Sequence, residues 1–152
     1  MTVAYRLVRA ERADAVLSGE GARLYGGRWN PPGKPVVYAS ASRALAVLEA
    51  FVHFAAEARS MRFLLYTLAL PSRARLHRHD RARPPPTLQS SQQVGRAWLE
   101  AGTTLALVVP SVIVPQEANY VLNVNHPQFA RLELSAPEPF SFDERLWRTR
   151  FA

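Results

Sequence analysis

The segment YGGRWNPPGKP, residues 25–35, combines glycines with basic residues in a pattern that suggests phosphate binding. A nucleotide-binding P-loop has four residues between its glycines and a lysine followed by serine or threonine at the start of a helix. Here Gly27 and Gly33 enclose five residues, and Lys34 is followed by a proline and a β-branched run. Both the spacing and the chemistry therefore exclude a P-loop, and the glycines predict a turn that joins two strands.

Arg28 and Trp29 are adjacent in this turn. A tight loop that holds an arginine beside an aromatic ring is suited to clamp an oxyanion, because the guanidinium offers several charge-assisted hydrogen bonds in one plane. The turn is thus a candidate anion site whose ligand the spacing does not define.

Glu49 lies in the strongest predicted helix, residues 42–58, which is rich in alanine and free of glycine and proline. The helix is apolar almost all round and is expected to be well buried, so a carboxylate there needs a partner or a cavity. The spacing also allows Ser42, Glu49, His53 and Glu57 to form a narrow solvated strip. Spacing alone favours the strip, because most helical glutamates lie at the surface.

The other polar candidates favour structural roles. HRHD, residues 77–80, lies in an arginine- and proline-rich loop predicted over residues 71–89; with no second ligand cluster it predicts a basic loop and not a metal site. Ser111 lacks the G-x-S-x-G context of a nucleophile, so its simplest role is to bond backbone at a strand end. His126, in NHP, predicts a turn.

The helices and strands that must position these residues follow one another in an irregular order along the chain. Apolar patterning predicts two helices, at residues 42–58 and about 91–101, and strands at residues 3–8, 35–40, 63–70, 105–110, 119–124 and 131–135. Several connections are too short for βαβ crossovers. The expected fold is α+β, a single domain over residues 1–152 with a largely antiparallel sheet packed with helices.

Composition excludes several classes of protein. At 152 residues, 48% hydrophobic and 20% charged, the chain is globular, and the absence of cysteine excludes disulfides, thiolate nucleophiles and cysteine-bound zinc. The net charge of +7 is carried almost entirely by arginine and permits an anionic ligand. With neither a signal peptide nor an apolar run of membrane-spanning length, we expect a soluble, cytoplasmic protein.

Motifs in order along the chain resemble the RES-domain family, toxins of bacteria that are paired with Xre-like antitoxins. They are YRL (5–7), GARLYGGRWN (21–30), VVYASAS (36–42), ALAVLEAFVH (44–53), VPS (109–111), NYVLNVNHP (119–127) and FDERL (142–146). The arginine, glutamate and serine that name the family match Arg28, Glu49 and Ser111. NVNHP departs from the more familiar NP-x-HP.

The resemblance implies an ADP-ribosyltransferase-like fold and cleavage of NAD⁺ at the nicotinamide–ribose bond. Such a cleavage forms an oxocarbenium-like transition state. In the roles that the resemblance implies, Glu49 holds the ribose hydroxyls and stabilises the developing positive charge, and Tyr38 stacks on nicotinamide. Arg28 completes the catalytic set.

The remaining implied positions bind substrate. Arg6, with Arg28, faces the pyrophosphate, while Ser111 and Asn119 bond the ligand or orient Glu49. Nicotinamide leaves as a neutral group, so no metal is expected, and NAD⁺ is a consumed substrate and not a cofactor.

The resemblance further implies an Xre-like antitoxin partner and allows a homodimer within the toxin–antitoxin complex, with no membrane or nucleic-acid partner. Hydrolysis or phosphorolysis of NAD⁺ is the first hypothesis, and mono-ADP-ribosylation of a cellular protein is the second. Two further alternatives stay open: a nucleic-acid-binding or RNA-cleaving toxin, suggested by the basic loop, and a non-catalytic interaction module.

Overall fold

The computed structural model describes residues 1–79 and 84–148, and its elements follow the predicted order with several additions. The strands are β1 (Val3–Arg9), β2 (Val36–Ser40), β3 (Phe63–Ala69), β4 (Leu76–Arg78), β5 (Ala106–Pro110), β6 (Ala118–Asn123), β7 (Glu133–Leu134) and β8 (Glu138–Phe140). The α-helices are α1 (Glu20–Tyr25), α2 (Arg43–Phe54) and α3 (Leu88–Ala101). Short 3₁₀ turns occupy Ala10–Ala15, Ala55–Ser60, Pro127–Arg131 and Glu144–Trp147.

The described strands form one sheet in the order β4-β5-β6-β2-β1-β3-β7, with β8 also paired to β3. The pairs are antiparallel except β4 with β5, which is parallel. The predicted α+β fold with a largely antiparallel sheet packed with helices is therefore confirmed.

Alternation along β2 divides the core into two layers. Successive side chains of a strand point to opposite faces. Val36 packs with Trp98 of α3 in one cluster, whereas Val37 packs with Leu68 and Leu122 in the other. Since Tyr38 and Ser40 share the face of Val36, this alternation places two polar side chains on the face that carries α3.

The helix that carries Glu49 is shorter and less buried than predicted. It begins at the Ser42 N-cap, whose hydroxyl accepts a hydrogen bond of 3.0 Å from the Leu45 amide. It ends at Phe54, because Ala55 adopts a φ of 50°, outside the helical range. Val52 is 57% exposed, so the expectation of a well-buried helix was wrong on the side that carries Val52.

The predicted loop over residues 71–89 is interrupted by regular structure in two places, at β4 and at the first residues of α3. β4 pairs with β5 at a sheet edge, where basic side chains are common. α3 begins at Leu88, three residues earlier than predicted, with a capping box between Thr87 and Ser90. Part of the HRHD and basic-loop prediction falls on residues 80–83, which lie outside the described residues.

Two short segments also differ from the predictions. The Gly26–Gly27 turn joins α1 to β2 and not two strands, because residues 20–25 form a helix with αL Gly19 at its N-cap. The strand predicted at 131–135 shrinks to β7, since a 3₁₀ turn begins after His126. His126 accepts a 3.1 Å hydrogen bond at Nδ1 from the Gln128 amide, which confirms its role as a turn residue.

Candidate active site

A cleft of about 660 Å³ opens between β1 and β2, a volume typical of a small-molecule site. The two strands pair through Tyr5 and Ser40. Residues of both strands, of α1 and α2 and of the loop after α1 line the cleft. Five of the six site residues predicted from the sequence line it: Arg6, Arg28, Tyr38, Glu49 and Asn119. The sixth, Ser111, is fully buried and bonded to Glu49.

Glu49 is fixed through one of its two carboxylate oxygens. Oε1 accepts hydrogen bonds from the Ser111 hydroxyl at 2.8 Å and from the Asn119 amide Nδ2 at 2.7 Å. Oε2 has no hydrogen-bond partner among the residues that the structure describes. The solvated strip is therefore the wrong description of Glu49, whose carboxylate is hydrogen-bonded beside the cleft. Ser42 caps the helix, and His53 is exposed and also lines the cleft.

The hydrogen-bond partners of Ser111 fix the direction in which its hydroxyl donates. Its Oγ accepts from the backbone amides of Ile113 at 3.0 Å and Val114 at 3.1 Å. An amide N–H is only a donor, so the hydroxyl hydrogen must point toward the remaining partner, Glu49. Ser111 thus bonds backbone, as its sequence position suggested, and also holds the carboxylate.

Asn119 is held from the opposite side by a residue that the sequence analysis did not single out. Ser40 donates to Asn119 Oδ1 at 2.7 Å, and the two residues face each other in the β2–β6 ladder. Because directly opposed residues of an antiparallel pair lie on the same face, strand register brings the hydroxyl to the amide. The sequence signal was the spacing between Tyr38 and Ser40, which share one face of β2.

The loop that carries Arg28 is closed by its own backbone and tied to β2. The Gly27 amide donates to the Asn30 carbonyl at 2.9 Å. The Tyr38 hydroxyl donates to Asn30 Oδ1 at 2.6 Å and accepts from the Trp29 amide at 3.0 Å. These bonds place Arg28 on the cleft with a buried Nε that has no partner in the described part of the chain.

The same loop is also fixed to α3, a support that was not predicted. Gln92 donates from Nε2 to the Gly27 carbonyl at 2.9 Å. Gly95 packs so closely that an added Cβ would lie 1.5 Å from the Trp29 carbonyl oxygen. Trp29 itself is 3% exposed and packs within the core, so its ring anchors the loop, and the clamp of Arg28 on an oxyanion stays a prediction.

Tyr38 lines the cleft, and its hydroxyl is bonded to the loop that carries Arg28. The two hydrogen bonds to residues 29 and 30 occupy the hydroxyl. Burial raises the pKa of Tyr38 above its usual range, so this phenol stays protonated at neutral pH. The hydroxyl is therefore a structural donor, and the ring is the part that a ligand can contact.

Arg6 crosses the gap between β1 and β2. Its Nε donates to the Val16 carbonyl at 3.0 Å and its Nη1 to the Tyr38 carbonyl at 2.7 Å. Desolvation by burial lowers the pKa of Arg6 to about 10, which still leaves it charged at neutral pH. An anion nearby would compensate this buried charge.

Cations outnumber anions around the cleft. Among the described residues that line it are four arginines and two glutamates: Arg6, Arg9, Arg12, Arg28, Glu20 and Glu49. Arg9 forms an ion pair with Glu11 and has a buried Nε without a partner in that part of the chain. The cleft therefore combines one fixed carboxylate with a surplus of guanidinium groups that favours an anionic ligand.

The profile of the RES domain matches residues 3–143. The chain belongs to the RES-domain family. It is also 34% identical to "Toxin Res" of Photorhabdus laumondii subsp. laumondii, over 97% of this chain and 99% of that protein. A second "Toxin Res", from Yersinia enterocolitica, is 35% identical over 93% of this chain and 97% of its own length.

Another relative of this RES domain carries a more specific name. "Prs ADP-ribosylating toxin" of a Sphingobium species is 35% identical over 87% of each chain. That name is consistent with an ADP-ribosyltransferase-like fold for the α+β architecture described above. In residues 1–79 and 84–148 no helix is long and apolar enough to cross a membrane, and no three histidine or acidic side chains group as metal ligands would.

Proposed function

We propose that this RES domain is a toxin that cleaves NAD⁺ at the nicotinamide–ribose bond. The observation that carries the proposal is Glu49, held at Oε1 by two donors and open at Oε2, in a cleft that also presents Arg28. A fixed carboxylate suits a reaction that develops positive charge on ribose. Neighbouring guanidinium groups suit the pyrophosphate of the same substrate.

In the proposed reaction the bond between ribose C1′ and the nicotinamide nitrogen breaks, and nicotinamide leaves with the bonding electron pair as a neutral molecule. Glu49 Oε2 lies against the ribose, where it stabilises the oxocarbenium-like transition state. The acceptor oxygen then bonds to C1′ and releases its proton to solvent. With water as acceptor the products are nicotinamide and ADP-ribose.

Binding is divided among the other cleft residues. Arg28, whose Nε is buried without a partner in the described part, offers donors to the pyrophosphate. Arg6 contributes mainly charge, because two of its donors already bond backbone carbonyls. The Tyr38 ring stacks on nicotinamide, and Ser111 and Asn119 orient Glu49. NAD⁺ is consumed, so we expect neither a cofactor nor a metal.

A second candidate function is the transfer of ADP-ribose to a cellular protein. It is favoured by the similarity to the Sphingobium protein, whose name describes it as ADP-ribosylating. Both functions share the first bond cleavage and differ in the acceptor, which is water or phosphate in one case and a protein side chain in the other.

Toxins of this kind require an inhibitor in the cell that makes them. We propose an Xre-like antitoxin that covers the cleft, with a homodimer of the toxin as one arrangement within the complex. Because cellular NAD⁺ is the proposed substrate, we propose that the toxin acts in the cytoplasm.

The acceptor is tested by incubating the purified chain with NAD⁺ labelled in its adenylate half. Incubations with and without phosphate and with cell lysate separate hydrolysis, phosphorolysis and protein modification. We expect label mainly in ADP-ribose or its phosphorylated product. Label mainly on protein would favour the transferase instead, and RNA decay with constant NAD⁺ in expressing cells would favour an RNA-cleaving toxin.

A further inference from the structure

Ser40 is a buried hydroxyl beside the cleft, 5% exposed, to which the proposed reaction gives no direct part. We infer that Ser40 is a positioning residue for Glu49 and acts through Asn119. The inference deepens the proposed function and rests on it, since it concerns the group that the proposal makes catalytic.

A continuous chain of hydrogen bonds joins the three residues. Ser40 donates to Asn119 Oδ1 at 2.7 Å, and Asn119 donates from Nδ2 to Glu49 Oε1 at 2.7 Å. The first bond is built into the sheet, because Ser40 and Asn119 are direct partners in the β2–β6 register. The second reaches from the sheet to α2. Strand pairing therefore sets the position of a carboxylate on a separate helix.

The donor and acceptor roles in this chain are fixed by chemistry. A carboxylate only accepts, so the Asn119 amide must turn its nitrogen toward Glu49 and its oxygen toward Ser40. The Ser40 hydroxyl then satisfies that oxygen. Without the hydroxyl, Asn119 Oδ1 has no hydrogen-bond partner among the described residues, and the amide gains by rotating toward another donor such as water.

Rotation of the amide would leave Glu49 Oε1 with Ser111 as its remaining donor. One hydrogen bond restrains a flexible glutamate side chain less than two, so Oε2 would sample positions away from the ribose. Displacements of about 1 Å in a reacting group can reduce a rate roughly a hundredfold. The residues that face the pyrophosphate are not in this chain, so binding should change little.

The test compares steady-state NAD⁺ cleavage by the full chain and by Ser40→Ala. We expect kcat to fall about ten- to a hundredfold while KM stays within about twofold. Ser91→Ala is the matched control, because Ser91 is a fully buried serine on α3 whose hydroxyl has no partner in the described part. Ser91→Ala should keep wild-type kcat. Ser40→Thr, which retains a hydroxyl, should recover part of the loss.

A double-mutant cycle distinguishes positioning from general loosening of the sheet. If Ser40 acts through Asn119, Ser40→Ala should have almost no further effect on kcat in an Asn119→Ala background. Multiplicative losses in the double variant would overturn the inference, as would a loss in Ser40→Ala equal to that of Ser91→Ala.

A second readout keeps this inference separate from the proposed reaction. The side-chain amide resonances of Asn119 in a ¹⁵N spectrum should shift in Ser40→Ala and stay unchanged in Ser91→Ala. An absence of NAD⁺ cleavage by wild type would contradict the proposed function alone. Unchanged Asn119 resonances in Ser40→Ala would contradict the positioning role whatever the reaction.

Discussion

The two walls of the cleft are built in opposite ways. The carboxylate wall consists of Glu49, Asn119 and Ser40, together with the buried Ser111 that supports Glu49, and hydrogen bonds of 2.7–2.8 Å link these side chains. The arginine wall consists of Arg6 and Arg28. There burial lowers the pKa of Arg6 to about 10, and Arg28 holds a buried Nε with no partner in the described part of the chain.

The difference between the two walls indicates that one serves mainly catalysis and the other mainly substrate binding. Apart from the open Glu49 Oε2, the side chains of the carboxylate wall are held by mutual hydrogen bonds, and such a network is rigid, so this wall is organised before a ligand arrives. The arginine wall has desolvated cationic groups, and a bound anion would supply the hydrogen-bond acceptors and the opposite charge that they lack. Changes to the carboxylate wall should therefore reduce kcat, whereas changes to the arginine wall should mainly raise KM.

The largest effect is expected from Glu49→Gln, which keeps the size of the side chain and removes its charge. The amide cannot stabilise a developing oxocarbenium ion, so kcat for NAD⁺ cleavage should fall about a hundredfold or more. Glu57→Gln, an exposed change shortly after the same helix, should keep wild-type activity. Full activity in folded Glu49→Gln would show that the carboxylate of Glu49 is not required for NAD⁺ cleavage.

Arg28→Ala should have the next largest effect, on the other wall. Hydrogen bonds to charged groups contribute about 1.5–3 kcal/mol, so KM for NAD⁺ should rise roughly ten- to a hundredfold, with a smaller change in kcat. Arg96→Ala, on an exposed part of α3, removes the same charge and controls for net electrostatics. An equal rise of KM in the two variants would show that Arg28 acts only through its net charge and makes no specific contact with NAD⁺.

The smallest effect is expected from Gln92→Ala, which removes a hydrogen bond that supports the loop carrying Arg28. The lost bond to the Gly27 carbonyl is neutral and contributes about 0.5–1.5 kcal/mol, so KM should rise at most about tenfold. Gln93→Ala is the neighbouring exposed control. A fall in kcat at constant KM would show that the loop also positions the carboxylate wall.

Long regular elements were predictable from the sequence, and short ones were not. The apolar runs at residues 63–70 and 105–110 became β3 and β5 because burial on both faces leaves a continuous hydrophobic signal. β4 has three residues, two of them basic, and α1 has six. Segments of this length carry too few positions for a period to be recognised.

The candidate site was predictable where a motif marked its residues and not where tertiary contacts define it. Helical spacing favoured a surface position for Glu49, because its partners Ser111 and Asn119 lie 62 and 70 residues away and local patterns do not contain them. Ser40 required the β2–β6 register. Gln92 and Gly95 required the docking of α3 on the Arg28 loop, which no local pattern of charge or hydrophobicity encodes.

The release of nicotinamide from NAD⁺ by the purified chain tests the central claim most directly. We predict that wild type in metal-free buffer forms one nicotinamide for each NAD⁺ consumed. The rate of this release should be about a hundredfold or more lower in Glu49→Gln. Intact NAD⁺ after prolonged incubation with folded wild-type protein, with phosphate and cell lysate supplied as acceptors, would contradict the account.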